Sequence, residues 1–252
     1  MPEPTPPATA ASSASVSVVF PAYQEEAFLE TAVASVVAGL RDEGRRFEVI
    51  VVENGSRDGT RAVAERLAGT FPEVEARSIP TANYGLALRD GLLAASNELV
   101  VNFDVDLYDL AFLREASRRM SVPGGPDLIV ASKRGAGADD RRHWTRKIVT
   151  GVFSTLLRVG FGLRVSDTHG MKAMRREPAQ AVGRVCLFGT DLFDTELILR
   201  MERAGYLTDE IGVTIEETRP ARTPILSRIV RSMRGLGTLW LALRRERRAQ
   251  SR

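Results

Sequence analysis

The sequence predicts an α/β fold in which a mostly parallel central sheet has helices on both faces and an amphipathic helix follows at the C-terminus. From Val16 onward, short apolar runs alternate with stretches of helical periodicity, which is typical of βαβ units. The apolar runs contain few polar residues, as do strands that are covered on both faces. The chain of 252 residues is long enough to bury one large core.

The first two βα units are expected between residues 15 and 68. SVSVVF at 15–20 is rich in valine and predicts a strand. Apolar residues three and four apart then predict a helix over roughly 27–40. FEVIVVE at 47–53 predicts the second strand, and the polar turn NGSRDGT leads from it into a helix over about 60–68.

Four more elements are predicted in the next part of the chain. A third strand is expected over 74–79 and a helix over about 86–95. LVVNFD at 99–104 and DLIVAS at 127–132 are short apolar runs and predict the fourth and fifth strands. The domain built from these units is expected to span residues 16–224.

The N-terminus and the cysteine content bear on where the protein works. Residues 1–15 are rich in Pro, Ala, Ser and Thr and predict a disordered tail, without the basic start and long apolar core of a signal peptide. No apolar run reaches the ~18 residues of a membrane span. The single cysteine, Cys186, excludes an internal disulfide and fits a reducing compartment. We expect a cytoplasmic protein, peripherally associated with the inner face of the membrane, with no nucleic-acid partner.

Polar residues follow three of the predicted strands. PAYQE comes after the first strand, ENGS ends the second, and DVD ends the fourth. The carboxyl ends of parallel strands meet at one edge of a sheet, where ligands bind. A tyrosine ring with a carboxylate or an amide can hold a base and its ribose, and Asp104 and Asp106 can bind Mg²⁺ or Mn²⁺. The alternative for these two acids is a solvated turn. No GxGxxG or P-loop pattern is present.

These motifs, in this order and spacing, resemble the nucleotide-diphospho-sugar glycosyltransferases of family two, which have the GT-A fold. The resemblance also includes NYGLALRDGL at 83–92 and runs from about Val16 to Pro224. The second half is most similar to polyprenyl-phosphate sugar synthases of the dolichyl-phosphate mannose and glucose synthase type. The matching stretches there are ASKRG, RKIVT, SDTHGMK, FDTELILRMERAGY and EIGVTIEETR.

The resemblance implies a reaction and a set of site residues. The reaction is the inverting transfer of a hexose from a UDP- or GDP-sugar to a polyprenyl phosphate, with Mg²⁺ or Mn²⁺ held by Asp104 and Asp106. The donor-binding positions are Pro21, Tyr23, Glu25, Glu53, Asn54, Asp104 and Arg219. The positions that bind the acceptor phosphate are Arg134, with Lys133 as the alternative, Arg146 and Thr150. In two departures from the family, Glu53 replaces the usual Asp, and the DTHGMK loop is one residue shorter.

The acceptor chemistry depends on cations rather than on a base. A phosphomonoester with a second pKa near ~6 is mostly dianionic at neutral pH, so it needs positioning and no deprotonation. Arg146 and Thr150, spaced i,i+4, lie on one face of a predicted helix and can bind one phosphate. Arg141 and Arg142 are as well explained by a solvated basic face. His143 can touch the phosphate, whereas His169 is expected to hydrogen-bond within its loop.

Asp194 leaves a second reaction open. Relatives that glycosylate hydroxyls have an acidic pair, Glu-Asp-x-Glu-Leu, which contains the base, whereas FDTEL here has Phe193 in place of the first acid. Asp194 is either a general base for a soluble hydroxyl acceptor, or an N-cap or donor-sugar contact in a lipid-phosphate enzyme. The second interpretation is favoured, because the dolichyl-phosphate glucose synthase type also has Phe-Asp there. A third possibility, outside the enzymes, is a protein that binds nucleotide sugars without catalysing their transfer.

Residues 225–252 predict a basic amphipathic helix, although Gly235 and Gly237 weaken it. The predicted apolar stripe consists of Ile225, Ile229, Met233, Leu236, Trp240 and Leu243. A tryptophan on such a stripe, with many arginines around it, is typical of a helix at an anionic membrane surface. The alternative is that the stripe packs on the catalytic domain or a second subunit. The proposed acceptor favours the membrane, because a polyprenyl chain stays in the bilayer.

Overall fold

The computed structural model describes residues 14–132, 155–190, 192–213 and 235–246. Within these ranges the strands are β1 Val16–Ala22, β2 Phe47–Asn54, β3 Val74–Ile79, β4 Leu99–Asn102, β5 Leu128–Ser132, β6 Lys172–Arg175 and β7 Thr208–Gly212. The helices are α1 Leu29–Asp42, α2 Thr60–Thr70, α3 Tyr84–Ala94, α4 Leu110–Met120, α5 at 155–161, α6 Arg176–Val185, α7 Phe193–Arg203 and α8 at 235–246.

The described strands form one sheet in the order β3-β2-β1-β4-β6-β5-β7. β1 is parallel to β2 and β4, and β6 is antiparallel to β4 and β5. The predicted mostly parallel sheet is therefore confirmed. From β1 the chain proceeds to β2 and β3, and β4 then returns to the other side of β1. The strand order thus reverses between β1 and β4, and such a reversal creates a ligand-binding crevice in sheets of this kind.

The sheet has a core on each face. Successive side chains of a strand point to opposite faces, so Val18 and Phe20 of β1 pack with α1, α2 and α4. Val19 lies in the other core, which includes residues of α3, α6, α7 and α8. The predicted helices on both faces are confirmed, and this double burial explains the apolar character of the central strands.

The first half of the domain matches the predicted elements to within about two residues. One difference affects the site: the fourth strand ends at Asn102 rather than at Asp104. The chain turns there, because the backbone N–H and C=O of Asp104 both pair with Leu107, at 3.1 and 2.9 Å. α4, β6, α6 and β7 were not predicted as elements from the sequence.

The C-terminal helix α8 contributes to the core beside α7. Leu236 and Leu243 of the predicted stripe are buried, and so is Leu239. Trp240 of the same predicted stripe is 43% exposed, and Leu239, which the stripe did not include, lies in the core instead. Residues 225–234 lie outside the described ranges, whereas Gly235 and Gly237 are both helical.

An ion pair between Arg200 and Glu246 attaches α8 to the domain. The Arg200 guanidinium of α7 donates to both carboxylate oxygens of Glu246, at 2.9 and 3.1 Å. Arg200 also donates to Glu196 at 2.7 Å. The described part of α8 therefore packs on the α/β domain through its leucine face. Within the described ranges, no helix combines the length and apolar composition needed to cross a bilayer.

Candidate active site

The predicted cluster of strand exits is present at one edge of the sheet. The last residue of β1, Ala22, lies in register with Glu53 of β2. On the other side of β1, Val19 lies in register with Asn102 of β4. Tyr23 and the Asp104–Asp106 turn therefore leave the sheet on either side of the crevice between β1 and β4.

The exit of β2 is held by the Glu53 carboxylate. Glu53 is buried and accepts hydrogen bonds from the Ser56 backbone N–H and from the Ser78 hydroxyl, the latter at 2.8 Å. Gly55 has a φ of +70°, a conformation that favours glycine. The neighbouring Asn54 is also buried, and its Oδ1 has no hydrogen-bond partner in the described part of the chain. Of this pair, Glu53 holds the turn, and Asn54 has a buried amide oxygen without a partner among the described residues.

The β1 exit is tied to the start of α2. Pro21 is a buried residue of β1, and Tyr23 is half-buried after it. Glu25 donates its backbone N–H to the Thr60 hydroxyl at 2.8 Å, and Gln24 donates its N–H to Ser56 Oγ at 3.0 Å. These bonds fix the Tyr23–Glu25 loop against the turn that follows β2.

Asp104 and Asp106 differ in their surroundings. Asp104 is half-buried, and its Oδ1 accepts a hydrogen bond from the Tyr84 hydroxyl at 3.3 Å. Tyr84 is the first residue of α3, so this bond links the helix to the acidic turn. Asp106 is exposed at the mouth of the crevice. The turn thus presents one fixed carboxylate and one accessible carboxylate.

The pKa of Asp104 is raised to about 6, chiefly by burial and also by the nearby carboxylates of Asp194 and Asp106. The Lys172 ammonium and the Tyr84 hydroxyl act in the opposite direction on this pKa. The carboxylates of this turn are therefore incompletely solvated. A divalent cation bound there would neutralise part of their negative charge. Within the described ranges, no three His, Cys, Asp or Glu side chains are grouped to hold an ion. An ion on Asp104 and Asp106 would complete its shell with water or phosphate oxygens.

We expect Asp104→Asn to stabilise the metal-free protein above pH 6 by about 2 kcal/mol. Folded Asp104 ionises only near pH 6, whereas its ordinary value is 3.8, so the folded state is penalised for the charge at neutral pH. The gain should shrink as the pH falls below 6 and disappear below the ordinary value of 3.8, where both states hold the proton. Thermal unfolding in EDTA at pH 4, 5, 7 and 8 measures this. Equal melting of variant and wild type at pH 8 would contradict the burial of this charge.

Beneath the acidic turn lies an ion pair that was not predicted from the sequence. Lys172 Nζ is 3.1 Å from Asp194 Oδ1, and the two side chains are 0% and 2% exposed. Lys172 also donates to the Gly170 carbonyl at 2.6 Å. Asp194 lies in the first turn of α7, whose N-cap is Leu192 without a side-chain bond. The N-cap role considered for Asp194 is therefore wrong, and its partner is Lys172.

The loop before β6 adds hydroxyl groups to this region. Thr168 Oγ1 lies 3.0 Å from Thr195 Oγ1 and 3.1 Å from His169 Nδ1. His169 donates its backbone N–H to Asp167 Oδ1 at 3.1 Å, which confirms its predicted hydrogen bonding within the loop. Burial raises the pKa of the Cys186 thiol to about 12, so this cysteine is an inert core residue.

The residues predicted to bind phosphate lie outside the described ranges. They are Lys133, Arg134, Arg141, Arg142, His143, Arg146, Thr150 and Arg219. The described site therefore comprises the β1, β2 and β4 exits, Tyr84 and the Lys172–Asp194 pair. Tyr84 and Lys172 lie in the stretches NYGLALRDGL and SDTHGMK, from which no role was predicted for either residue. A lysine between apolar neighbours, as in GMKAM, was the signal that could have identified Lys172.

Comparison with known proteins gives a family and several relatives. The family model for glycosyl transferase family 2 matches residues 17–183. Glycosyltransferase AglD of Haloferax volcanii is 30% identical over 238 residues, covering 92% of this chain and 37% of that protein. An uncharacterized glycosyltransferase of Mycobacterium tuberculosis is 31% identical over 221 residues, covering 87% and 92% respectively. The undecaprenyl-phosphate 4-deoxy-4-formamido-L-arabinose transferase of Aeromonas hydrophila is 28% identical over 174 residues, covering 66% and 51%.

Solved structures share the fold at lower sequence identity. Glucosyl-3-phosphoglycerate synthase from Mycobacterium tuberculosis, in complex with Mn²⁺, UDP and phosphoglyceric acid, has a TM-score of 0.65 and 24% identity. That comparison covers 91% of this chain and 78% of the synthase chain. The same synthase with Mg²⁺ and UDP gives a TM-score of 0.62 and 23% identity, covering 86% and 74%.

Proposed function

The chain belongs to glycosyl transferase family 2, and on that premise we propose that it transfers a hexose from a nucleoside-diphosphate sugar to a polyprenyl phosphate with inversion. It is a glycosyltransferase with the GT-A fold. The crevice between β1 and β4 is the proposed donor site. There Tyr23 and Asn54 would contact the nucleoside, and Asp104 and Asp106 would face the diphosphate.

Asp104 and Asp106 would hold Mg²⁺ or Mn²⁺. The hard carboxylate oxygens and the excess negative charge around Asp104 fit such an ion. When bound, the ion supplies Lewis-acid stabilisation of the leaving nucleoside diphosphate. Related solved structures hold UDP together with Mn²⁺ or Mg²⁺, which supports both the ion and a nucleotide donor here.

The observation that favours a phosphate acceptor is the Lys172–Asp194 ion pair. The Asp194 carboxylate is buried, and its partner is the Lys172 ammonium 3.1 Å away. Taking a proton from an acceptor hydroxyl would disrupt this buried ion pair. A phosphomonoester needs no such base, because it is already mostly dianionic at neutral pH. The name of the Aeromonas relative, an undecaprenyl-phosphate sugar transferase, supports the same acceptor class.

A second candidate is transfer to a soluble hydroxyl acceptor with Asp194 as general base. It is favoured by the position of Asp194, whose Oδ1 accepts no hydrogen bond in the described part of the chain apart from the ion pair with Lys172. A pH–rate profile with a hydroxyl acceptor would separate the two candidates. If Asp194 is the base, the rise in rate with pH on the acidic side of the wild-type profile should be lost in Asp194→Asn.

The proposed function is tested by a donor panel. Purified protein is incubated with Mn²⁺, undecaprenyl phosphate in detergent, and UDP-glucose, UDP-N-acetylglucosamine or GDP-mannose in turn. We expect one donor to give a lipid-linked sugar and the free nucleoside diphosphate in equal amounts. If no donor yields a lipid product while 3-phosphoglycerate or another hydroxyl acceptor is glycosylated, the second candidate replaces the first.

We also propose that the outer face of α8 meets an anionic membrane. Trp240 and Leu241 are 43% and 51% exposed, and Arg244 lies over the Trp240 ring at 4.9 Å. An indole, a leucine and arginines on one exposed face are typical of an interfacial helix. This face lies apart from the leucine face that packs on the domain.

Replacing Trp240 and Leu241 together with Ser should weaken binding to anionic vesicles at low salt by at least about tenfold, because both apolar contacts are lost. Cosedimentation with phosphatidylglycerol vesicles measures this binding. Val122→Ser is the control, because Val122 is a 53% exposed valine after α4, on the other face of the sheet. Equal cosedimentation of the double variant and the wild type would contradict the proposed membrane contact.

A further inference from the structure

We propose that Lys172 is a positioning residue, which fixes the Asp194 carboxylate at the floor of the donor site, where that carboxylate contacts the transferring sugar. The inference rests on the proposed glycosyl transfer. It adds a residue that neither the sequence motifs nor the comparisons assign to the site.

Strand geometry explains how a lysine reaches this place. Lys172 is the first residue of β6 and pairs with Asn102 of β4, two residues before Asp104. Residues paired across antiparallel strands project from the same face of the sheet. The alternation along β6 gives that face: Met174 lies in the core that contains α7, whereas Ala173 lies in the opposite core. Lys172 therefore projects beneath α7, where Asp194 is its partner.

The buried polar atoms around the Lys172–Asp194 pair lower the stability of the fold. Both amide atoms of Asn102 are buried without a hydrogen-bond partner among the described residues, so they lose their hydration without a replacement. Asp194 Oδ1 is also buried, and its partner is the Lys172 ammonium. Apolar residues can often replace a buried ion pair without loss of stability. Buried charges and unpaired amide atoms concentrated at one strand end therefore indicate a site organised for a ligand.

The position of the pair identifies the ligand group it serves. The charges of Lys172 and Asp194 both act on Asp104, so the pair lies next to the acidic turn that would face the diphosphate. Thr195, beside Asp194 on α7, and Thr168 add buried hydroxyls to the same region. A fixed carboxylate with neighbouring hydroxyls suits the hydroxyl groups of a sugar. Lys172 itself contacts Asp194 and the Gly170 carbonyl, so its role is to hold the carboxylate.

The test compares Lys172→Met, Asp194→Asn and the double variant. Lys172→Met alone should lower the melting temperature and abolish transfer, because it leaves Asp194 charged, buried and unpaired. The double variant removes both charges, so its melting temperature should return close to that of the wild type. Its kcat should nevertheless stay about 100-fold below the wild-type value, because the sugar contact is missing.

Binding gives a readout that does not depend on turnover. Titration calorimetry with UDP-glucose and with UDP, or with GDP-mannose and GDP if the panel selects that donor, isolates the contribution of the sugar. The double variant should bind the nucleoside diphosphate as the wild type does and should lose the additional affinity for the nucleotide sugar. If the double variant recovers melting temperature, kcat and sugar affinity together, the Lys172–Asp194 pair is purely structural and the inference is wrong. A wild type without transfer or donor binding would instead overturn the proposed function, and the inference with it.

Discussion

Asp106→Ala is expected to abolish sugar transfer while leaving the fold intact. Asp106 is exposed at the mouth of the crevice, so its side chain contributes little to folding. Its carboxylate would complete the pair that holds the divalent ion, and a single ligand cannot keep the ion on the diphosphate. We expect kcat to fall by at least about 1,000-fold, since ionic stabilisation of the leaving group is lost. Transfer assays with saturating Mn²⁺ and a thermal melt of the same sample measure the two effects.

Asp109→Ala is the matched control for this prediction. Asp109 is three residues further along and caps α4, where its Oδ1 accepts the Ala111 N–H at 2.7 Å. Its loss should cost about 1 kcal/mol of stability and leave transfer unchanged, the opposite pattern to Asp106→Ala. Full activity of Asp106→Ala, or of the wild type in EDTA, would exclude the metal role.

Removing the residues after Pro224 is expected to destabilise the whole domain. The truncation uncovers the surface buried by Leu236, Leu239 and Leu243. Burial of each leucine contributes about 1.5–3 kcal/mol, so the loss is on the order of 5 kcal/mol. Many domains have a total stability of that size. We expect the truncated protein to melt more than about 10 °C below the wild type or to aggregate. Melting within 2 °C of the wild type would contradict the packing of α8.

Single substitutions of two leucines on α8, one buried and one exposed, test the packing of this helix more finely than the truncation does. Leu239 is fully buried, whereas Leu241, two residues later, is 51% exposed. Leu239→Ala should cost roughly 2–4 kcal/mol, and Leu241→Ala should stay within about 0.5 kcal/mol of the wild type. Because truncation would unfold the domain, it cannot test membrane binding, and the surface variants of Trp240 and Leu241 are the appropriate probes.

The β1, β2 and β4 exits could be predicted from the sequence because their signals are local. Valine-rich runs define the central strands, and the rule that parallel strands end at one edge brings Tyr23, Asn54 and Asp104 together. The role of Glu53 in holding its turn could not be predicted, because it depends on Ser78 of the adjacent strand β3.

Lys172 could not be predicted for a related reason. β6 is only four residues long, KAMR, with a charge at each end, and no apolar run marks it. Its identity as a strand depends on pairing with β4 and β5, which are distant in sequence. The predicted apolar stripe on α8 differs from the buried face of that helix for another reason. Spacings of three and four fit Leu239 and Trp240 equally well, and packing against α7 decides for Leu239.

The central claim, that the accepting atom is a phosphate oxygen of a lipid, is tested most directly by two acceptors that differ only in that group. The wild-type protein is given Mn²⁺, the donor selected by the panel, and either undecaprenyl phosphate or undecaprenol. We predict a glycosylated lipid with the phosphate and none with the alcohol, and the residual transfer of the Lys172→Met, Asp194→Asn double variant should keep the same preference. Glycosylation of the alcohol by the wild-type protein would contradict the claim.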